Sequence, residues 1–115
     1  MIWYGNPTQL SQVLFNLINN SFYAVESYPE KWVEVEVRIL GMHDLIISVT
    51  DSGTGIEKEI ADKIMKPFFT TKTPGKGTGL GLSISKDIIE SHGGELSIDH
   101  TCSNTRFVIK LPLGG

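Results

Sequence analysis

Apolar residues recur at helical spacing near the start of the chain. The residues that follow this spacing are Leu10, Val13, Leu14, Leu17, Ile18, Ala24 and Val25. Such a pattern predicts an amphipathic helix with one face toward a core. Asn6 can cap this helix, Pro7 fits its first position, and Gln9 can reach back to the cap. Pro29 should terminate it, because the residue before a proline disfavours helical geometry.

The next two apolar segments predict β-strands. Residues 33–39 alternate strictly between Val or Ile and charged residues, which predicts a strand with one buried face. After a turn at residues 41–44, the apolar run at 45–49 predicts a more fully buried strand, paired antiparallel with the first. Residues 1–4 resemble the end of another strand, so we expect the first part of that strand region to be missing.

The second half of the chain continues with helices and strands. Ile56, Ile60 and Ile64 predict a short helix, and residues 66–79 predict a long loop of the kind that forms lids. A third helix is indicated by Leu80, Ile84, Ile88 and Ile89, ending at Gly93–Gly94. Residues 96–98 and 107–111 predict two more strands. This order predicts an α/β (α+β) sandwich, with a mixed, largely antiparallel sheet covered by helices on one face.

Composition narrows the possible functions. The 115 residues suit one domain, and the net charge of −3 without a basic cluster argues against nucleic acid. The single cysteine, Cys102, excludes an internal disulfide and indicates a reduced thiol in a cytoplasmic protein. No apolar run in the sequence is long enough to span a bilayer, although the parent protein could be membrane-anchored.

Glycines at alternate positions mark the first candidate binding segment. Gly77, Gly79 and Gly81 stand at the start of the third predicted helix, with Lys76 just before them. Glycine allows the backbone to approach a ligand closely, and a helix start favours phosphate. The segment lacks the P-loop pattern and follows a loop rather than a strand, which disfavours a dinucleotide fold.

Three further segments carry candidate chemistry. Asn16 and Asn20 lie four apart on one helix face, where amide oxygens suit Mg²⁺, although the pair alone favours ordinary surface asparagines. Asp51 follows a buried strand and precedes Gly53 and Gly55, so it is either a rigid acceptor for a base amine or a turn-initiating residue. In the loop, Phe68 and Phe69 precede Thr70, Thr71 and Lys72, which either reach a polyphosphate or are solvated.

In chain order, these segments resemble the catalytic, ATP-binding domain of bacterial sensor histidine kinases. Residues 16–21 are similar to the N box of that family and residues 51–55 to its first glycine box. Residues 68–72 are similar to its F box and residues 77–82 to its second glycine box. The resemblance spans nearly the whole chain, and it implies that residues 1–115 form one catalytic ATP-binding domain. Within the family, residues 70–72 and the compact lid look most like nitrogen-regulation-type kinases.

The resemblance implies the Bergerat fold, with ATP bound between the first helix, the sheet and the lid. It implies that Asn20 coordinates Mg²⁺ and that Asn16 supports the metal and phosphates. It also implies that Asp51 recognises the adenine amine. The remaining implied nucleotide-binding residues are Gly53, Gly55, Thr71, Lys72, Gly77, Thr78, Gly79, Leu80 and Gly81.

The resemblance also implies a partner and a reaction. Related gyrase-, mismatch-repair- and chaperone-type ATPases have glutamate at the position of Asn16, where it activates water. Asn16 cannot act as a base, so phosphoryl transfer is favoured over hydrolysis. The implied acceptor is a histidine on a separate dimerisation domain, which passes the phosphoryl group to a response regulator. We expect the isolated domain to be monomeric.

The sequence departs from the family pattern at two points, and two other functions stay open. Ser21 stands where the family usually has alanine, and no acid-rich helical segment surrounds any histidine, so the acceptor domain is absent. One alternative is a protein-serine kinase of the anti-sigma-factor type, which the F-box-like segment disfavours. The other is a non-catalytic module with a degenerate site.

Overall fold

The computed structural model describes residues 5–56, 59 and 81–113. Its elements are α1 (Pro7–Val25), β1 (Val33–Leu40), β2 (Asp44–Asp51), α2 (Gly81–Ser91), β3 (Glu95–Ile98) and β4 (Thr105–Pro112). Three predicted segments lie outside these residues: the strand end at 1–4, the loop at 66–79 and, apart from residues 56 and 59, the helix at 56–64. The glycine-rich segment before Gly81 does so too.

The start of α1 is formed as its sequence predicts. Asn6 is the N-cap, and its Oδ1 accepts a hydrogen bond of 3.1 Å from the Gln9 backbone N–H. Pro7 occupies the first helical position, where a missing N–H costs nothing. The helix ends at Val25, before Pro29, so the predicted extent of this element is confirmed.

The described strands form one antiparallel sheet in the order β1-β2-β4-β3. Alternate residues of β2 and β4 point to one face, where they pack against α1 and α2. The buried core consists of Val13, Leu17, Leu45, Ile47, Val49, Ile89, Leu96, Phe107, Ile109 and Leu111. This arrangement confirms the predicted sandwich with helices on one face of the sheet.

The expected burial of β1 is wrong. Val35 pairs with Val49 and Val37 with Ile47, so these valines point toward the helix-covered face. Nevertheless, Val35 and Val37 remain 46% and 56% exposed. The physical reason is the position of β1 at the sheet edge, since α1 and α2 lie mainly over the other three strands. Alternation predicted the correct face but could not show that β1 extends beyond the helices.

The buried face of α2 also differs from the apolar positions that predicted this helix. Ile89 is buried, but Ile84 is 39% exposed, and Ser83 and Ser85 take buried positions instead. Small serines permit α2 to approach α1 closely. The predicted stop is confirmed: Gly93 has a φ of 77°, and the Gly94 N–H donates to the Ile89 carbonyl over 2.9 Å. This is the hydrogen-bond pattern of a Schellman motif.

Candidate functional site

Asp51, the last residue of β2, places a carboxylate inside the molecule. Only 1% of Asp51 is exposed. Its Oδ1 accepts a hydrogen bond of 2.7 Å from the Gly53 N–H, while its Oδ2 is buried without a hydrogen-bond partner among the described residues. Burial raises the pKa of Asp51, and the Gly53 N–H and the Ser21 hydroxyl oppose that rise. The carboxylate is therefore rigidly held with one acceptor atom available.

The two glycines after Asp51 allow the turn to fold against β4. A Cβ on Gly53 would lie 2.6 Å from Thr105 Oγ1 and 2.7 Å from Asp51 Oδ1. Gly55 has a φ of 96°, and its N–H donates to Thr105 Oγ1 over 3.0 Å. The Asn104 side chain also donates to the Gly53 carbonyl, over 3.1 Å. These contacts fix the turn, as the sequence predicted for both glycines, through residues that the sequence did not identify.

Asn16 and Asn20 lie on the same side of α1 and are both half-buried. Asn16 Nδ2 donates a hydrogen bond of 3.4 Å to Ser85 Oγ on α2. A Cβ on Gly81 would lie 3.9 Å from Asn16 Cγ, so the start of α2 is adjacent to Asn16. Asn20 directly precedes Ser21, whose hydroxyl neighbours Asp51. The asparagine face of α1 is thus close both to the Asp51 turn and to the end of the glycine-rich segment.

Six of the predicted site residues lie outside the described part of the chain. They are Thr71, Lys72, Gly77, Thr78, Gly79 and Leu80. Of the others, the structure brings Asp51, Gly53 and Gly55 into one turn and Gly81 against Asn16. Within the described residues, no three His, Cys, Asp or Glu side chains form a metal cluster. The amide oxygens of the two asparagines are the neutral, hard donors that suit Mg²⁺.

Sequence reasoning missed the residues that support the site from other elements. Thr105 pairs directly with Asp51 in the β2–β4 register. Ser21 comes from α1 and Ser85 from α2. No local pattern marks a threonine at the start of the last strand, because its role depends on which strands pair. Ser21 was noted as a departure from the family pattern, but its position beside Asp51 was not predicted; the signal for such a role is a polar residue within an apolar helix face.

A cleft of about 330 Å³ opens beside the Asp51 turn. The turn contributes Thr54, Gly55 and Ile56, and the β3–β4 connection contributes residues including Asp99 and Asn104. Asp51 itself does not line this cleft, which is therefore not the space beside the carboxylate. Elsewhere, neither helix within residues 5–56 and 81–113 combines the length and apolar character needed to cross a bilayer.

This fold and this buried acceptor are those of an ATP-binding domain. The chain belongs to the family described as Histidine kinase-, DNA gyrase B-, and HSP90-like ATPase, which it matches over residues 5–115. It is 40% identical to the two-component sensor PprA of Pseudomonas aeruginosa, over 98% of this chain and 13% of that protein. It is also 40% identical to sporulation kinase A of Bacillus subtilis, over 94% of this chain and 17% of that protein. The chain thus spans less than a fifth of these relatives.

Solved structures show the same architecture. The mycobacterial sensor histidine kinase MprB superposes with a TM-score of 0.81 at 28% identity, covering 96% of this chain and 74% of that one. The catalytic domain of the histidine kinase ThkA gives a TM-score of 0.80 at 34% identity, covering 96% of this chain and 70% of that one. The fold is therefore that of histidine kinase catalytic domains, the Bergerat fold.

Proposed function

We propose that this chain binds ATP with Mg²⁺ and donates the γ-phosphoryl group to a histidine on a separate dimerisation domain of the same protein. The observation that carries the proposal is Asp51, a buried carboxylate with one oxygen hydrogen-bonded to Gly53 and the other available for a ligand. The relative named sporulation kinase A supports the reaction. Such a buried acceptor suits the exocyclic amine of adenine, which donates a hydrogen bond.

The site residues divide between the base and the phosphates. Asp51 accepts from the adenine amine, while Gly53 and Gly55 allow the turn to close around the base. Asn20 provides an amide oxygen to Mg²⁺, and Asn16 supports the metal and phosphates from the preceding turn of α1. Around the polyphosphate we place Thr71, Lys72, Gly77, Thr78, Gly79, Leu80 and Gly81. When bound, Mg²⁺ neutralises phosphate charge as the phosphoryl group departs.

Asn16 favours transfer to an acceptor over hydrolysis. In the transfer, an imidazole nitrogen of the acceptor forms a bond to the γ-phosphorus, and the bond from that phosphorus to the bridging oxygen of ADP breaks. The imidazole is itself the nucleophile, so the site has to position the reactants and neutralise charge. An amide cannot remove a proton from water. Asn16, hydrogen-bonded to Ser85, is therefore suited to hold phosphate or metal and not to activate water.

The acceptor and the downstream partner belong to the longer protein of which we take this chain to be the catalytic part. A solved structure of histidine kinase ThkA in complex with the response regulator TrrA covers 97% of this chain at 29% identity. By analogy, we place a response regulator downstream of the phosphohistidine. The nitrogen-regulation-like character rests on residues 70–72 and the compact lid, and it stays a prediction.

Calorimetric titration with a non-hydrolysable ATP analogue tests the binding step. We expect affinity in the micromolar range that Mg²⁺ strengthens. Asp51→Asn should abolish most of this binding because the amide presents a donor in place of an acceptor to the base amine. Asn20→Ala should remove the Mg²⁺ dependence and retain weaker Mg²⁺-independent binding. A folded chain that binds no nucleotide would contradict the proposal.

A further inference from the structure

Ser21 is a polar residue in the buried row of α1. The row consists of Val13, Leu17, Ser21 and Val25, spaced four apart, and all four are 0% exposed. Three members are apolar and pack in the interior. A serine at such a position loses the hydration of its hydroxyl without the packing gain of a larger apolar side chain. The hydroxyl therefore requires an explanation other than core packing.

The Ser21 hydroxyl is a neighbour of the Asp51 carboxyl group. A mid-helix serine commonly hydrogen-bonds to the carbonyl one turn earlier, which here belongs to Leu17. Ser21 Oγ makes no such bond, and both it and Asp51 Oδ2 are buried without a hydrogen-bond partner among the described residues. The two groups are nevertheless neighbours, since the hydroxyl lowers the pKa of the carboxyl group. Two unsatisfied buried polar atoms side by side are rare in a folded protein.

We propose that Ser21 is a positioning residue for base recognition: its hydroxyl donates to Asp51 Oδ2 and orients that oxygen toward the exocyclic amine of adenine. This inference rests on the proposed function, because it needs the base to lie at Asp51. A carboxylate oxygen has room for two donors. With the Ser21 hydroxyl at one lone pair and the Gly53 N–H on the other oxygen, the remaining lone pair of Oδ2 selects a ligand donor.

This arrangement discriminates between purines at position 6. The amine of adenine donates to the remaining lone pair of Oδ2. The carbonyl oxygen of guanine or hypoxanthine would instead place its own lone pairs against the carboxylate. The hydroxyl of Ser21 cannot relieve this repulsion while it donates to Asp51. Ser21 therefore strengthens the preference for a 6-aminopurine through Asp51.

Two ligands and two serine variants test the inference. The ligands are ATP and purine riboside triphosphate, which lacks the exocyclic amine, each titrated with Mg²⁺. Ser21→Ala should weaken ATP binding by about tenfold, the effect of losing a hydrogen bond to a charged group. It should leave the affinity for purine riboside triphosphate unchanged, because that ligand makes no amine contact for Ser21 to support. Ser21→Cys, with a weaker donor of similar shape, should give an intermediate loss.

Ser48→Ala is the matched control. Ser48 is 7% exposed and lies on β2 three residues before Asp51, on the opposite face of the sheet. It should leave the affinity for both ligands unchanged. Thermal unfolding of Ser21→Ala should show a native fold, since alanine favours helices and fits in the space that serine occupies.

The outcomes separate this inference from the proposed function. If wild type prefers ATP and Ser21→Ala weakens both ligands equally, or weakens neither, Ser21 does not act through the amine and the inference is overturned while the proposed function stands. If the folded wild type binds neither ligand, both are overturned. Selective loss of ATP affinity in Ser21→Ala, with Ser48→Ala unchanged, supports the assignment.

Discussion

Asp51 shows how a single residue connects stability to ligand binding. Its burial raises the pKa of the carboxyl group above the ordinary value of 3.8, even though the Gly53 N–H and the Ser21 hydroxyl favour the charged form. A charged group that is buried with only partial compensation destabilises the folded state. The same incomplete hydrogen bonding leaves Oδ2 available to a ligand. We therefore expect the site to lower the free energy of unfolding when no nucleotide is bound.

Asp51→Asn should stabilise the protein without nucleotide near neutral pH. Because the folded-state pKa of Asp51 is raised, the folded state binds more protons than the unfolded state between the two pKa values. The wild type therefore loses stability as pH rises from 3.8 through the folded-state pKa, whereas the asparagine variant lacks this titration. Thermal unfolding across that range and up to neutral pH should show the difference widening. A variant less stable than wild type at neutral pH would contradict this account.

Gly53→Ala should reduce both stability and nucleotide affinity. The new Cβ would press on Thr105 Oγ1 and Asp51 Oδ1, which forces the turn or the carboxylate to move. Such overpacking costs about 1–3 kcal/mol of unfolding free energy. Gly41→Ala is the control: Gly41 has a φ of 64° with open space around it, so the variant should lose stability but keep nucleotide affinity. Denaturant unfolding and calorimetry measure the two effects.

Part of the site could be predicted at the residue level. Asp51, Gly53 and Gly55 are close together in the sequence, so a carboxylate at a tight turn could be predicted from these residues alone. Thr105 could not be identified in this way because it reaches the turn only through the β2–β4 register. Ser21 was noted only as a departure from a family pattern. The role that we propose for Ser21 could be inferred only once the position of Asp51 relative to α1 was known.

At the scale of elements, the two helices are joined where α1 begins and α2 ends. The Asn6 N–H donates to His92 Nε2 over 3.1 Å, and His92 Nδ1 lies 2.8 Å from the Ile88 carbonyl. This pattern requires a neutral imidazole with its proton on Nδ1. The ring therefore links the start of α1 to the last turn of α2.

His92→Ala should weaken the connection between α1 and α2. The substitution leaves the Asn6 N–H without its imidazole acceptor, and we expect a loss of about 1 kcal/mol of unfolding free energy. His43→Ala is a matched control, because His43 lies exposed in the turn between β1 and β2. Denaturant unfolding of both variants makes the comparison. Equal stability of the two variants would rule out a structural role for the His92 ring.

Capping residues in the sequence predicted where helices begin and end. The burial of side chains by neighbouring elements was predicted less well. Asn6 and Pro7 predicted the start of α1, and Gly93 predicted the end of α2, because capping chemistry is local. The exposure of Val37 and Ile84 could not be predicted in this way. Both depend on how the helices are placed over the sheet, and the spacing of apolar residues in one segment contains no such information.

At the scale of the whole molecule, the described residues include much of the proposed nucleotide site but no suitable acceptor histidine. The chain has three histidines, His43, His92 and His100. His43 and His100 lie in turns, and His92 is hydrogen-bonded at the end of α2. The reaction that we propose therefore needs a second domain to supply the imidazole.

Incubation of this chain alone with γ-labelled ATP should yield no acid-labile label on the protein. Addition of the dimerisation domain from the same parent protein should produce label on that domain. Asp51→Asn should prevent this transfer, while Ser48→Ala should permit it. Label on the isolated chain would show that one of its own histidines is an acceptor and would contradict the assignment of roles.

The bond from the Gly55 N–H to Thr105 Oγ1 joins residues that are 50 positions apart. Closing so long a segment is entropically costly, and contacts of this kind slow folding. The turn at which we propose that the base binds therefore cannot take its final form in a nascent chain until β4 has left the ribosome and paired with β2. Nucleotide thus cannot assist the early steps of folding. Its binding would stabilise only those molecules in which β2 and β4 are already paired.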